Sequence, residues 1–169
     1  MNAAERRTQI LQRLREADKP LSATALAGEL SVSRQIIVGD VALLRAAGEE
    51  ITATPRGYVL DRRGAGERYT VACRHRSEDM AQELNIMVDH GCVVEDVVVE
   101  HSVYGQLVGQ LALSSRYDVA EFIRRVSESD AKPLSDLTGG IHLHTLRCPD
   151  RETLDRVTKA LAQAGFLLK

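Results

Sequence analysis

The feature that most constrains this chain is a pair of short helical stretches joined by a three-residue turn. Leu26 and Leu30 stand four residues apart in the first stretch, which Ser22 can cap. Residues 34–47 then carry apolar side chains at helical spacing. Side chains four residues apart share one face of a helix, so both stretches can bury a stripe in a common core. Together with an amphipathic segment at 3–17, the pattern predicts three packed helices.

A β-hairpin is predicted directly after these helices. Residues 51–54 and 58–60 are rich in β-branched and aromatic side chains, and the Pro-Arg-Gly sequence at 55–57 favours a turn between them. Three helices and a hairpin within residues 1–61 are typical of a winged helix-turn-helix. In such a domain, the second helix of the turn lies in the major groove of DNA and is led by its N-terminal residues.

The start of the third helix supplies the candidates for DNA binding. Ser31 and Ser33 suit phosphate oxygens, whereas Arg34 suits guanine and Gln35 suits adenine. Arg56, at the tip of the hairpin, is placed to meet a neighbouring phosphate or the minor groove. We therefore expect double-stranded operator DNA as a partner. Because a winged helix reads one half-site, two half-sites one helical turn apart require a two-fold homodimer.

The overall charge does not by itself indicate DNA binding. The 169-residue chain has a formal net charge of −2, and residues 1–61 carry eight basic and eight acidic side chains. Neither half of the chain is a basic tail, so DNA contacts must come from a few well-placed arginines. Gly39 stands where a polar or basic side chain is expected on the exposed side of the third helix, which removes one possible base contact.

A second domain is predicted after a linker at 62–67, which contains glycine and lacks apolar periodicity. Residues 68–169 alternate in the order strand, helix, two strands, helix, strand, helix. This order resembles a ferredoxin-like sandwich, with one antiparallel sheet and helices on one face. We therefore predict an α+β protein with a winged helix-turn-helix at 1–61 and a ferredoxin-like sandwich at 68–169.

The sequence also argues against several classes of protein. No apolar stretch approaches the roughly 20 residues that span a bilayer, and the first residues lack the apolar run of a signal peptide. We expect a cytoplasmic protein with no membrane partner. The three cysteines are odd in number and form no CxxC pair, so a disulfide framework and a zinc ribbon are both disfavoured, and reduced, buried thiols are expected.

Histidines are concentrated in the predicted second domain. His142 and His144 are two residues apart in a strand, so both side chains point to one face of the sheet. His75 ends the first strand of this domain, and Glu83 lies one to two turns into the following helix. If the first and last strands are close in the sheet, three imidazoles and one carboxylate converge. Such a donor set suits zinc, nickel, iron or manganese.

Both halves resemble known families. The sequence from Leu21 to Leu60, with VSRQ and LR at its centre and TPRGY near its end, resembles the biotin-repressor-type winged helix. The second half resembles the 3H domain, named for its histidines and found in niacin-responsive repressors of the NiaR type. The segments that carry this second resemblance are CRHRSEDMAQEL, DHGCVVEDVVVEHSVYGQL, RYDVAEFI and GGIHLHTL. The two resemblances together cover almost the whole chain.

The resemblance implies a metal site and an effector. In 3H domains the matching positions are metal ligands, which implies one divalent transition metal per chain held by His75, Glu83, His142 and His144. Nicotinic acid, a pyridine carboxylate, is the effector that the resemblance implies, with genes of NAD precursor uptake or synthesis as the targets of repression. His101 and Tyr104 are then candidates to hydrogen-bond the effector's carboxylate, and Arg74 or Arg76 to pair with it.

Two alternatives differ in what is sensed or catalysed. In a metalloregulator the bound ion is itself the signal, and dependence on nicotinic acid at constant metal would separate this alternative from a niacin-responsive repressor. In a metal-dependent hydrolase, a catalytic zinc usually keeps three protein ligands and a nearby general base. Four ligands with no obvious base argue against the hydrolase, so we expect a regulator and not an enzyme.

Overall fold

The computed structural model of this protein describes residues 1–60 and 66–169. The chain divides into two compact units, Met1–Gly64 and Ala65–Lys169, which we call the N-terminal unit and the C-terminal unit. The linker predicted at 62–67 falls mostly outside the described residues, and its last residue, Glu67, begins a strand. Within the described residues, no helix is long and apolar enough to cross a membrane.

The N-terminal unit contains the predicted three helices and hairpin. The helices are α1 (Ala3–Glu16), α2 (Ala23–Leu30) and α3 (Arg34–Ala46), and the antiparallel strands are β1 (Ile51–Thr54) and β2 (Gly57–Leu60). All three helices and the hairpin contribute to one apolar core, built from Ile10, Leu14, Ala23, Leu26, Ala27, Leu30, Ile37, Val41, Leu44 and Ile51.

The turn between α2 and α3 is held by caps that the sequence predicts. The hydroxyl of Ser22 accepts a hydrogen bond from the backbone of Ala25 at 3.0 Å, and that of Ser33 accepts one from Ile36 at 3.3 Å. Ser31 adopts a left-handed conformation with φ of 54°, which ends α2 abruptly. Because the turn is short, it holds the first residues of α3 in an exposed position.

The C-terminal unit contains four strands and three helices in the predicted order. Two short 3-10 turns, Ser77–Asp79 and Leu134–Thr138, precede α4 and β6. The elements are β3 (Glu67–Arg74), α4 (Met80–Asp89), β4 (Val93–His101), β5 (Gly105–Leu113), α5 (Arg116–Glu128), β6 (Ile141–Cys148) and α6 (Arg151–Gln163).

The four strands form one fully antiparallel sheet in the order β3-β6-β4-β5. The α+β class and the single antiparallel sheet are confirmed. The strand order differs from the ferredoxin-like one, in which the first and third strands of the sheet are central. Here β6 returns between β3 and β4, so the central strands are the last and the second. This order puts β6, which carries two of the candidate ligands, inside the sheet with a hydrogen-bonded neighbour on each side.

One face of the sheet is covered by the three helices. Alternate residues of β6, from His142 to Cys148, are buried on this face, and they meet Leu84 of α4 and Val157 of α6 in one core. The hydroxyl of Ser77, before α4, donates to the carboxylate of Asp136, and α5 begins at Arg116.

Candidate metal centre and nucleic-acid interface

The start of α3 presents polar side chains to solvent, as a DNA-reading end requires. Ser31, Ser33, Arg34 and Gln35 are all exposed. Arg56 lies in the turn of the hairpin and is half-buried, and its backbone amide donates to the hydroxyl of Thr54 at 3.2 Å. The placement of these residues agrees with the expected interface, and their contacts with DNA stay a prediction.

The exposed side of α3 also carries apolar side chains, which sequence reasoning missed. Ile36 is 42% exposed and Leu43 is 56% exposed, and Gly39 lies between them with no neighbouring atom within 4 Å of an added Cβ. Apolar side chains in the major groove contact the methyl group of thymine. The sequence does indicate this exposed position, because these residues do not follow the helical spacing of the buried residues Ile37, Val41 and Leu44.

The inner side of α3 carries a buried acid. Asp40 is 4% exposed and lies in an ion pair with Arg6 of α1, with Nε–Oδ2 and Nη2–Oδ1 distances of 2.5 and 3.3 Å. Arg7 lies 3.5 Å from the same carboxylate. These contacts tie α1 to the helix that presents Arg34 and Gln35, so the orientation of α3 depends on them.

The four predicted metal ligands meet at one point in the C-terminal unit. Glu83, on the inner face of α4, is fully buried. Its Oε2 lies 2.5 Å from Nε2 of His75, and its Oε1 lies 2.9 Å from Nε2 of His142. Nε2 of His144 is 3.4 Å from either oxygen. The neighbouring rings stand edge to face, with centroids 4.8 Å apart in both the His75–His142 and the His142–His144 pair.

The other ring nitrogen of each histidine fixes how the imidazoles face Glu83. The Nδ1–H groups donate to backbone carbonyl oxygens, that of His75 to Arg76 at 2.7 Å and that of His142 to Gly140 at 2.8 Å. His144 donates in the same way to Asp96 at 2.7 Å. A neutral imidazole that donates through Nδ1 has a lone pair on Nε2. Three lone pairs and a carboxylate that converge require a positive charge between them, either protons on Nε2 or a metal ion.

The arrangement matches what metal sites need. A metal-bound histidine usually donates its second ring N–H to a carbonyl or carboxylate, which orients the ring. Burial favours a higher pKa for Glu83, but hydrogen bonds with His142, His144 and His75 dominate and hold its pKa well below the ordinary value. The pKa of His75 is raised, because contact with Glu83 outweighs the opposing effect of burial. The donor set of three nitrogens and one carboxylate therefore fits a divalent transition metal.

Gly140 allows this close approach. Its φ is +93°, and a Cβ at this position would lie 2.4 Å from the carbonyl oxygen of His75. The backbone amide of His75 also donates to the Gly140 carbonyl at 3.4 Å. A side chain at 140 would therefore push the end of β3 away from the start of β6.

Cys73 is a further neighbour of the cluster that sequence reasoning missed. Ligand atoms of Cys73, Glu83 and His142 all lie within 4.8 Å of one another. Burial, with the nearby Glu83 charge, raises the pKa of this thiol. The sequence indicates this through its position two residues before His75, which directly follows β3. Cys73, Cys92 and Cys148 are all free and buried, as expected.

A cavity of about 230 Å³ opens beside the cluster. Glu83 and the three clustered histidines lie in its wall, and most of the remaining wall is apolar. Ligand pockets are typically apolar clefts with a few polar groups, and those for drug-sized molecules occupy about 300–1,000 Å³. This cavity therefore suits a molecule of about one ring.

The other predicted effector residues lie outside this cavity. The Nδ1 of His101 accepts hydrogen bonds from the backbone amides of Val103 and Tyr104, and Tyr104 is exposed. Arg74 is exposed, and Arg76 pairs with Glu78 at 3.6 Å on the surface. None of these four residues lines the cavity of about 230 Å³, whereas His101 shares a separate pocket with His142, and Arg74 and Arg76 share another with His75. Their effector role stays a prediction.

Comparison with known proteins gives the same two-part division. A family model described as an HTH domain matches residues 6–59, and one described as a 3H domain matches residues 68–169. Thermotoga maritima has a protein named "Probable transcription repressor NiaR" that is 43% identical over 165 residues, which cover 98% of this chain and 94% of that protein.

Two further relatives extend this comparison. "Transcription repressor NadR" of Bacillus subtilis is 41% identical over 170 residues and is covered to the same extent. An uncharacterized protein of Methanothermus fervidus is 30% identical over 108 residues, which are 59% of this chain and 17% of that protein. With an HTH domain before a 3H domain and full-length similarity to named regulators, the chain belongs to the 3H-domain transcription repressors of the NiaR type.

Proposed function

We propose that this protein is a cytoplasmic repressor that binds operator DNA as a homodimer and takes nicotinic acid as corepressor. Its targets are genes of NAD precursor uptake or synthesis. The names NiaR and NadR of the relatives support the niacin and NAD connection. The observation that carries the proposal is the meeting of His75, Glu83, His142 and His144 in the wall of a cavity of about 230 Å³.

The N-terminal unit supplies the DNA contacts. Arg34 pairs with guanine and Gln35 with adenine, while Ser31, Ser33 and Arg56 contact the backbone and its grooves. Ile36, exposed beside them, adds apolar contact with thymine methyl groups. Arg34→Ala should weaken specific binding by about 1–3 kcal/mol and leave effector binding intact.

The C-terminal unit supplies the sensor. One divalent transition metal is held by Nε2 of His75, His142 and His144 and by the carboxylate of Glu83. When bound, a divalent ion held by these four residues would supply a Lewis acid to which the ring nitrogen or the carboxylate of the effector could bind. The apolar wall excludes water around the ring. The effector acts as a corepressor only if it binds the DNA-competent state more tightly than the other state.

An operator titration tests the proposal. Metal-loaded protein is titrated with DNA selected in vitro, in the absence of effector and with nicotinic acid or nicotinamide. Nicotinic acid should tighten DNA binding by a factor of about 5–150, which is the usual range of coupling between two sites. The effect should require the metal and both His142 and His144. If DNA affinity follows metal loading but not nicotinic acid, the protein is a metalloregulator and the bound ion is the signal.

A further inference from the structure

The cavity beside the candidate metal centre has one wall of donors and a larger apolar wall. The apolar side chains come from α4, β4, α5 and the 3-10 turn before β6, and they include Met80, Leu84, Val97, Phe122, Val126 and Leu134. Phe122 brings the aromatic ring of α5 to this wall. A wall of this kind suits the faces of a flat ring, and the donor wall suits one of its polar edges.

The cavity wall also contains one cationic side chain that is not part of the histidine cluster. Lys132 lies between α5 and the 3-10 turn, and besides Glu83 and the histidines it is the only wall residue with an ionisable side chain. Within residues 1–60 and 66–169, no carboxylate lies within ion-pair distance of its ammonium group. Pro133 follows it, and a residue before proline is restricted to extended backbone. The chain therefore holds this lysine at the cavity in a restricted backbone conformation.

Charge balance indicates what such a cavity binds. A divalent ion held by the single carboxylate of Glu83 would leave one positive charge, and Lys132, an exposed residue that lines the cavity, adds a second. A neutral occupant would leave the charge at the donor wall uncompensated in surroundings that are largely apolar, where charge interactions are stronger than in water, whereas the ammonium group of Lys132 is exposed and hydrated. A monoanion would balance the charge at the donor wall, and its carboxylate could accept a hydrogen bond from Lys132.

We propose that Lys132 binds the carboxylate of a flat, ring-sized monoanion in this cavity and so determines the preference for the acid over its neutral amide. The inference rests on the proposed function, in which this cavity is the effector site, and it deepens that function. It gives the carboxylate-reading role to Lys132, and not to His101, Tyr104, Arg74 or Arg76, none of which lines the cavity.

Calorimetric titration of the full-length, metal-loaded protein tests the proposal with three probes. Nicotinate offers a carboxylate and a ring nitrogen, nicotinamide keeps the nitrogen without the charge, and benzoate keeps the charge without the nitrogen. The variants are Lys132→Met and Lys132→Arg, and the matched control is Lys159→Met on the exposed side of α6. Metal content and thermal melting of every variant establish that the fold and the cluster are intact.

We expect wild-type protein and Lys159→Met to bind nicotinate at least about tenfold more tightly than nicotinamide, as one charge-assisted hydrogen bond provides. Lys132→Met should weaken binding of nicotinate and benzoate about tenfold and leave that of nicotinamide unchanged. Lys132→Arg should retain most of the preference, because it keeps the charge.

The remaining outcomes separate this inference from the proposed function. If the wild type prefers nicotinate and Lys132→Met keeps that preference, the role of Lys132 is wrong and the effector site stands. If the wild type binds nicotinate and nicotinamide with equal affinity, the role of Lys132 is wrong and the proposed effector site still stands. If metal-loaded wild type binds no nicotinate, both the inference and the niacin function are overturned.

Discussion

Asp40 in the N-terminal unit and Glu83 in the C-terminal unit are both carboxylates with almost no solvent exposure, at 4% and 0%. Asp40 faces two guanidinium groups, which are charged at any physiological pH. Glu83 faces three imidazoles whose Nδ1–H groups are already committed to backbone carbonyls. The chain therefore supplies the counter-charge of Asp40 itself, whereas that of Glu83 must come from protons or from a bound cation.

This difference separates an acid that is paired within the chain from one whose counter-charge must be supplied from outside it. A buried ion pair with permanent charges on both sides holds two helices together and is complete in the folded chain. A buried acid whose partners can be neutral has no counter-charge until a proton or a cation binds beside it. The N-terminal unit is accordingly expected to be self-sufficient, and the stability of the C-terminal unit is expected to depend on what the solution supplies.

The largest expected effect is on metal content. Glu83→Gln keeps the size of the side chain and removes its charge, so we expect metal per chain to fall from about one to near zero. Asp40→Asn, the matched change in the other unit, should leave metal content unaltered. Elemental analysis of the purified proteins measures both. Equal metal in Glu83→Gln and wild type would falsify the assignment of this cluster.

Gly140→Ala should damage the metal centre without altering any donor. The added Cβ meets the carbonyl of His75 at 2.4 Å, so His75 must move away from the start of β6. We expect metal affinity to fall by about 10–100-fold, as for other changes just outside a metal's ligands. Gly139→Asn is the control, because no atom lies within 4 Å of a Cβ there and asparagine tolerates its left-handed backbone. Similar metal affinity in the two variants would contradict the role of Gly140.

Asp40→Asn should destabilise the N-terminal unit alone. The change leaves Arg6 and Arg7 facing a neutral amide, and we expect the melting temperature of this unit to fall by about 5–10 °C. Glu29→Gln is the control, because its ion pair with Arg13 is largely exposed and should contribute little. Calorimetry resolves the two units if they melt separately. A larger loss from Glu29→Gln than from Asp40→Asn would reverse the comparison.

The stability of the C-terminal unit should depend on pH in opposite directions with and without a bound metal. The pKa of His75 is raised, so its protonation stabilises the metal-free C-terminal unit below the unfolded-state pKa of about 6.5. That stabilisation is lost as pH rises through the folded-state pKa. With metal, the trend reverses, because fewer protons compete for the ligands at higher pH. Thermal melting between about pH 6 and about pH 8, with and without a chelator, measures both trends, and a metal-free unit that gains stability over this range would contradict the first.

The smallest expected effect on stability comes from replacing exposed glycines in α3 and α2 by alanine. Gly39→Ala fills empty space on an exposed helical face, so it should stabilise the N-terminal unit by about 0.5–1 kcal/mol. Gly28→Ala, equally open in α2, should give a similar gain. Only Gly39→Ala should change operator affinity in a gel-shift titration, since Gly39 lies between Ile36 and Leu43. Equal operator affinity in both variants would place Gly39 outside the interface.

Local patterns predicted much of this fold. Helical spacing placed α3 to within one residue, and Ser22 caps α2, as expected. Alternation along a strand correctly put His142 and His144 on one buried face. The order of the strands was not predictable in this way, because it depends on which long-range pairings β6 makes.

The apolar wall of the cavity beside the cluster could not be predicted from the sequence. Lys132 lies in a stretch with no apolar periodicity, and nothing local connects it with residues in α4 or β6. His101 and Tyr104 were candidates because the sequence placed them in a loop between two predicted strands. In the structure, the turn accounts for His101, whose Nδ1 accepts from backbone amides two and three residues later.

The central place of β6 has a consequence for biosynthesis. Glu83 and His144 are 61 positions apart, and β6 lies between β3 and β4, both of which precede it in the chain. A nascent chain that has left the ribosome only as far as β5 holds two of the four donors and no third. The complete set of four donors therefore forms only after β6 has been translated and has joined the sheet. A product stalled or truncated before β6 would lack His142 and His144, and with them half of the candidate metal centre.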